Sequence, residues 1–350
     1  MSSKVSLIQK DEILEKIKSA KEKLGKKLLI LAHFYQREEI VQFADFVGDS
    51  LQLAQTASKR NDVPYIVFCS VSFMAEMARI LCSPEQEVLH PAPEAKCPLA
   101  EMAKMKDVEK AWRKLSTLGK NIIPVVYVNS TAELKAFCGR NGGAVCTSSN
   151  AKKVFEWVFS KGADIFFFPD ENLGRNTAHS LGVRKEEISV WDPKGDNKLE
   201  NFKKSKVILW KGFCYVHTEF LPFLVEKLKN SQNDLKVIVH PECFPEVCAL
   251  SDFVGSTSFI KKTVEESPPG SKWAIGTEWN LVRRLQIKNP DKTIFPITES
   301  RCCQMAKVTP EKLLNVLEGL LKGELRGRVV VPEKIAEGAR IALRRMLEIV

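Results

Sequence analysis

None of the ten cysteines of this 350-residue chain falls in a Cys-x-x-Cys pair. That absence excludes the zinc-ribbon and thioredoxin patterns. No apolar run reaches the roughly 18–20 residues that cross a bilayer, so no membrane partner is expected. Residues 1–25 are charged and helix-like, without the apolar stretch and small-residue cleavage site of a secretory leader. A cytoplasmic location with reduced thiols is therefore expected. The formal net charge is +10, yet the Lys and Arg are interleaved with Glu along helix-like segments. No basic block carries aromatics, so nucleic acid is not expected as a partner. The excess reads as a solvated surface, with a mild field that draws acidic metabolites.

What is present is an alternation of β-branched apolar runs with helical segments. KLLILAH, YIVFCSV, IIPVVYV, DIFFFPD, KVILW, LKVIVH, SKWAIGT and KTIFPIT read as strands covered on both faces, which implies an α/β fold with parallel sheets. Two stretches share the words DFVGDS and DFVGST. His33 precedes Gly48 by 15 residues and His240 precedes Gly255 by 15; Gly48 precedes Cys69 by 21 and Gly255 precedes Gly276 by 21. The middle of the chain repeats this more loosely, through Asn129, Cys146 and Phe168. The spacing predicts three related α/β/α units. Their expected bounds are 1–112, 113–206 and 207–305, with amphipathic helices in 306–350 packing back on the first.

Each unit continues into a further strand that ends near one cysteine: Cys97, Cys214 and Cys302. Three thiolates on a pseudo-threefold axis suit a [4Fe–4S] cluster with one open iron, which acts as a Lewis acid. Zinc held by three thiolates, or cysteines buried as small apolar groups, are the alternatives. The junctions Gly48-Asp49-Ser50, Thr147-Ser148-Ser149-Asn150 and Ser256-Thr257-Ser258 each precede a helical segment. Such junctions offer backbone N–H groups to anions, although Ser and Thr are also ordinary N-caps. His33, Tyr35, Tyr127, Asn129, His240 and Glu242 fall at strand ends, where ligands gather in open α/β sheets. His217, three residues after Cys214, fits a supporting place beside a metal ligand.

The words AHFYQ, ADFVGDSLQLA, SFMAE, CPLAEM, YVNST, CTSSNA, CYVH, VIVHPEC, DFVGSTS and IGTE, ending in C-x-x-M-x-K, resemble quinolinate synthase, in order, over about residues 30–310. The resemblance implies three α/β/α domains around a pseudo-threefold axis with a central [4Fe–4S] cluster. It implies condensation of iminoaspartate with dihydroxyacetone phosphate to quinolinate for NAD synthesis, with loss of phosphate and water. An aspartate-oxidising enzyme would supply the imine. Cys97, Cys214 and Cys302 would bind the cluster. His33, Ser50, Tyr127, Val128, Asn129, Ser148, His240, Pro241, Glu242, Ser256 and Thr257 would bind substrate. Tyr35, His240 and Glu242 would be catalytic. The sequence departs from the family pattern at Ser70 and Ser72, in the lead to Cys214, and in the doublet Cys302-Cys303. Another [4Fe–4S] hydro-lyase on a different hydroxy acid, or a non-enzymatic iron–sulfur sensor, are the other readings.

Overall fold

The computed structural model describes residues 2–349, with side chains from residue 11. The chain divides into two compact units, Met1–Cys97 with Cys302–Pro332, and Pro98–Arg301 with Glu333–Val350.

In the first unit, β1 (Leu28–His33), β2 (Phe46–Gly48), β3 (Tyr65–Cys69) and β4 (Glu87–Leu89) form a parallel sheet in the order β2-β1-β3-β4. Every residue of β1 is buried, as the continuous apolar run LLILAH requires of a central strand. The helix Pro310–Leu321 packs on the helix Ser2–Leu24. Ile17, Ala20 and Leu24 from one and Leu313, Val316 and Leu317 from the other join Leu28 and Ile30 of β1 in one core cluster.

The second unit holds two sheets. β5 (Ile122–Tyr127), β6 (Ala144–Cys146), β7 (Asp164–Phe168), β8 (Ile188–Trp191) and β9 (Val207–Trp210) are parallel in the order β6-β5-β7-β9-β8. β10 (Leu235–Val239), β11 (Phe253–Val254), β12 (Lys272–Gly276) and β13 (Thr293–Pro296) are parallel in the order β11-β10-β12-β13. The order of the first sheet thus recurs in the third. The second sheet differs by the added edge strand β8.

The shared DFVG word has a structural cause. Asp45 Oδ2 accepts the N–H of Ile30 at 2.8 Å, and Asp252 Oδ2 accepts the N–H of Val237 at 2.7 Å. Each aspartate ties the loop before a short edge strand to the central strand beside it. Lys21 pairs with Asp45 and Lys229 with Asp252, so the supporting cation recurs too.

Three expectations about boundaries need correction. Residue 112 lies inside the helix Met105–Ser116, whose Trp112 packs on Phe137 and Phe166 beside the second sheet. A cut at 206 severs β9, which pairs with β7 and β8. The last helix, Glu333–Glu348, packs on the helix Ala132–Arg140 and belongs to the second unit. Small residues explain that seat: a Cβ placed on Gly139 would lie 1.9 Å from the carbonyl oxygen of Gly338. The two helix backbones touch where neither has a side chain.

Candidate active site

In the first unit, β1 ends at His33 and the chain turns at once. Gln36 N–H donates to the His33 carbonyl at 3.0 Å, and Tyr35 N–H donates to His33 Nδ1 at 3.1 Å. The His33 and Tyr35 rings meet edge to face, 4.6 Å apart. Buried Gln36, which sequence reasoning passed over, donates from Nε2 to the Met305 carbonyl at 3.2 Å. It thereby fixes the loop that begins with Cys302. Ser50 opens the helix Ser50–Lys59, and Asp49 is its cap in a reciprocal pair with Gln52. Ser70 is buried and turns its hydroxyl to the Val71 carbonyl, while its own carbonyl lies 3.0 Å from His90 Nε2. Ser72 is the first residue of the helix Ser72–Leu81.

In the second unit, β10 ends at the repeat-equivalent turn. Cys243 N–H donates to the His240 carbonyl and Glu242 N–H to His240 Nδ1. His240 stands where His33 does, and Glu242 where Tyr35 does. Nδ1 faces the Glu242 N–H, and on the other side of the ring Nε2 lies 3.0 Å from Ser148 Oγ. The His217 ring stacks on His240, 4.3 Å between centroids.

Glu242 is the centre of this site. It is 2% exposed. Tyr127 donates its hydroxyl to Oε1, and His217 Nδ1 lies 2.8 Å from Oε2. On the far side of its ring, His217 Nε2 is 3.4 Å from Thr277 Oγ1. Burial pushes the Glu242 carboxyl up, but the charge and hydrogen bond of His217, then His240 and Tyr127, outweigh it and bring the pKa down to about 2. Asp170, at the end of β7, behaves in the opposite way. Burial first, and the charge of Glu242 second, push its carboxyl well above the usual range. Its Oδ1 accepts the N–H of Leu173 and so caps the helix Glu171–Ser180. The two carboxyls are pushed in opposite directions, the kind of divergence that acid–base sites use.

Val128 is buried and donates its N–H to the Cys146 carbonyl; Asn129 is half-buried. The Pro241 carbonyl accepts from Asn176 Nδ2 at 2.8 Å. Ser256 is the N-cap of the helix Thr257–Glu265, accepting the Phe259 N–H at 3.3 Å, and Thr257 is buried at its first position. The hydroxyl of Ser256 thus has a structural use, while the backbone N–H groups of the first helical turn keep their direction toward an anion.

No disulfide joins any of the ten cysteines. Burial raises the thiol pKa of Cys69 to about 12 and pushes Cys138, Cys146 and Cys243 up as well, which makes these inert core residues. Cys97, Cys214 and Cys302 are half-buried in the loops after β4, β9 and β13. Thiolates with such exposure are chemically suited to a soft metal such as the iron of an iron–sulfur group. Cys214 Sγ, His217 and Glu242 offer ligand atoms all within 4.8 Å of one another. A separate cleft of about 1470 Å³ in this unit is lined by Arg175, Lys211, Phe213 and Phe244 among others. None of His217, His240 or Glu242 lines it.

His217, Thr277 and Asp170 were the parts least visible in advance. His217 had one signal, its place in CYVH three residues after a cysteine. Thr277 and Asp170 follow β12 and β7, the equivalent strands of their sheets, in the words IGTE and FFPD.

No helix among the described residues is long and apolar enough to cross a membrane. Residues 15–348 match the family described as Quinolinate synthetase A protein. The chain is 47% identical over 352 residues to a quinolinate synthase of Geobacillus thermodenitrificans (strain NG80-2), covering 99% of this chain and 96% of the relative. It is 47% identical over 347 residues to that of Bacillus subtilis (strain 168), covering 98% and 94%. A quinolinate synthase of Geobacillus sp. (strain WCH70) is 48% identical over 343 residues, covering 96% and 93%.

Proposed function

The chain belongs to the quinolinate synthetase A family and is an enzyme that forms quinolinate for NAD synthesis, and we propose that it condenses iminoaspartate with dihydroxyacetone phosphate around the Tyr127–Glu242–His217 cluster. Phosphate and two waters leave. The imine is short-lived in water, so an aspartate-oxidising enzyme is its functional partner.

The observation that carries this reading is a buried carboxylate with a phenol on one oxygen and an imidazole on the other. Imine–enamine and enol chemistry needs protons moved at carbon and oxygen, and each group here is within hydrogen-bond reach of the next. Glu242 takes a proton that Tyr127 or His217 relays and returns it later. Tyr35 is a further proton donor. His240 and Ser148 orient a carboxylate by hydrogen bonds from Nε2 and Oγ. His33, Ser50, Asn129, Ser256 and Thr257 hold the remaining anionic groups, with Val128 and Pro241 shaping the wall.

Cys97, Cys214 and Cys302 would hold a [4Fe–4S] cluster. When bound, it supplies an open iron that eases departure of a hydroxyl as a Lewis acid. Ser70 turns its hydroxyl to the carbonyl of the next residue, Val71, which gives no support to a different substrate.

The test is anaerobic incubation of the iron–sulfur-loaded protein with iminoaspartate and dihydroxyacetone phosphate. Quinolinate and phosphate in equal amounts support the reading. Consumption of neither substrate by a loaded protein refutes it.

A further inference from the structure

Asn150 precedes the helix Ala151–Phe159, at the position where an Asn side chain ordinarily accepts an N–H of the first turn. It makes no such bond. Its Oδ1 instead accepts the Thr147 N–H at 2.8 Å and lies 3.2 Å from Thr147 Oγ1. Its Nδ2 donates to the carbonyls of Met346 and Ile349, both at 3.1 Å. These carbonyls belong to the end of the C-terminal helix, where the last turn has no intrahelical donors left. One buried amide, 2% exposed, therefore closes the loop Thr147–Asn150 and caps a helix some 200 residues away in sequence.

The helix it caps is firmly seated. Its backbone touches that of the helix Ala132–Arg140 at Gly139 and Gly338. Arg345 donates to the Gly143 carbonyl and lies 5.4 Å over the Trp157 ring. The loop held this way carries Ser148, whose hydroxyl meets His240 Nε2.

We propose that Asn150 is a positioning residue, through which the C-terminal helix sets the place of Ser148 against His240 for substrate binding. This rests on the reading of Ser148 as a substrate-side residue. Only a side chain with both an acceptor and a donor serves. An aspartate keeps the acceptor for Thr147 but turns a negative oxygen toward two carbonyls. An alanine loses both.

The test compares full-length Asn150→Asp, Asn150→Ala and Arg345→Met with the parent. Amide hydrogen exchange is followed over residues 147–151 and 342–349, and KM and kcat are measured for both substrates. Both Asn150 variants should exchange faster in the two segments together. KM for one substrate should rise about tenfold, the scale of one or two lost neutral hydrogen bonds, with kcat changed less. Arg345→Met, which leaves the loop sequence intact, should move the same readouts in the same direction. Parental exchange and KM in Asn150→Asp would overturn the proposal, as would loosening of the loop with an unchanged KM. Should the parent form no quinolinate, the proposed reaction fails. Exchange then decides the link alone: joint loosening of the two segments upholds it, and loosening of the loop alone overturns it.

Discussion

His217 Nδ1 lies 2.8 Å from Glu242 Oε2, and each side chain is 2% exposed. A carboxylate this deep is tolerable only while its partners remain. His217→Ala should lower stability by roughly 3–5 kcal/mol, because an ionised Glu242 would stay buried with one donor gone. Adding Glu242→Gln should recover most of that loss. Urea unfolding of the two variants measures it, and a single variant that loses under about 1 kcal/mol would contradict the account.

Glu242→Gln by itself keeps the shape and removes the charge. It should fold normally and lose about 10²- to 10⁴-fold in kcat, the usual scale for a proton-transfer group. Quinolinate formation at saturating substrate is the measurement.

His90 gives a pH dependence. Burial, the largest cause, lowers its pKa from 6.5 to about 4, against the Ser70 carbonyl and Glu94, which raise it. The unfolded chain therefore takes up a proton below pH 6.5 that the folded chain refuses until pH 4. The stabilising contribution is whole above pH 6.5 and is lost as pH falls from 6.5 to 4. It amounts to about 3 kcal/mol at about 1.4 kcal/mol per pKa unit. Unfolding free energies at pH 7 and pH 4.5 should differ less in His90→Gln than in the parent, and equal differences would remove His90 from the account.

Asp252→Ala should lower stability by roughly 2 kcal/mol, since it removes a charged acceptor from the Val237 N–H. Lys229→Ala should cost under about 1 kcal/mol, because that ion pair is solvent-exposed. The two unfolding midpoints in urea decide between backbone tie and ion pair.

These two residues also show what the sequence makes legible. DFVG recurs because an aspartate beside an edge strand has the same backbone bond to make in two sheets, so spacing and identity are both constrained. The strands that were easy to read, such as LLILAH, are buried on every residue. β8, ISVW, sits at a sheet edge and half-exposes Ser189 and Val190, so it lacks the continuous apolar signature. The boundary at 112 failed because it follows the repeat spacing, which does not register the amphipathic helix Met105–Ser116 that runs across it. The seat of the last helix failed because its closest approach is made at Gly139 and Gly338, and an amphipathic stripe does not by itself name its partner. Tyr127, His240 and Glu242 were visible as strand-end residues. The joining of His217 to Glu242 was not, because 25 residues of chain separate them and only the sheet topology closes that gap.

The central claim is that Cys214, on the loop after β9, helps hold an iron–sulfur group that quinolinate formation requires. The most direct measurement is paired: iron and sulfide per chain, and quinolinate formed, in anaerobically prepared parent and Cys214→Ser. The account predicts about four irons and turnover in the parent, with both lost in the variant while its folding is kept. A colourless, iron-free Cys214→Ser that still makes quinolinate at the parental rate would contradict it.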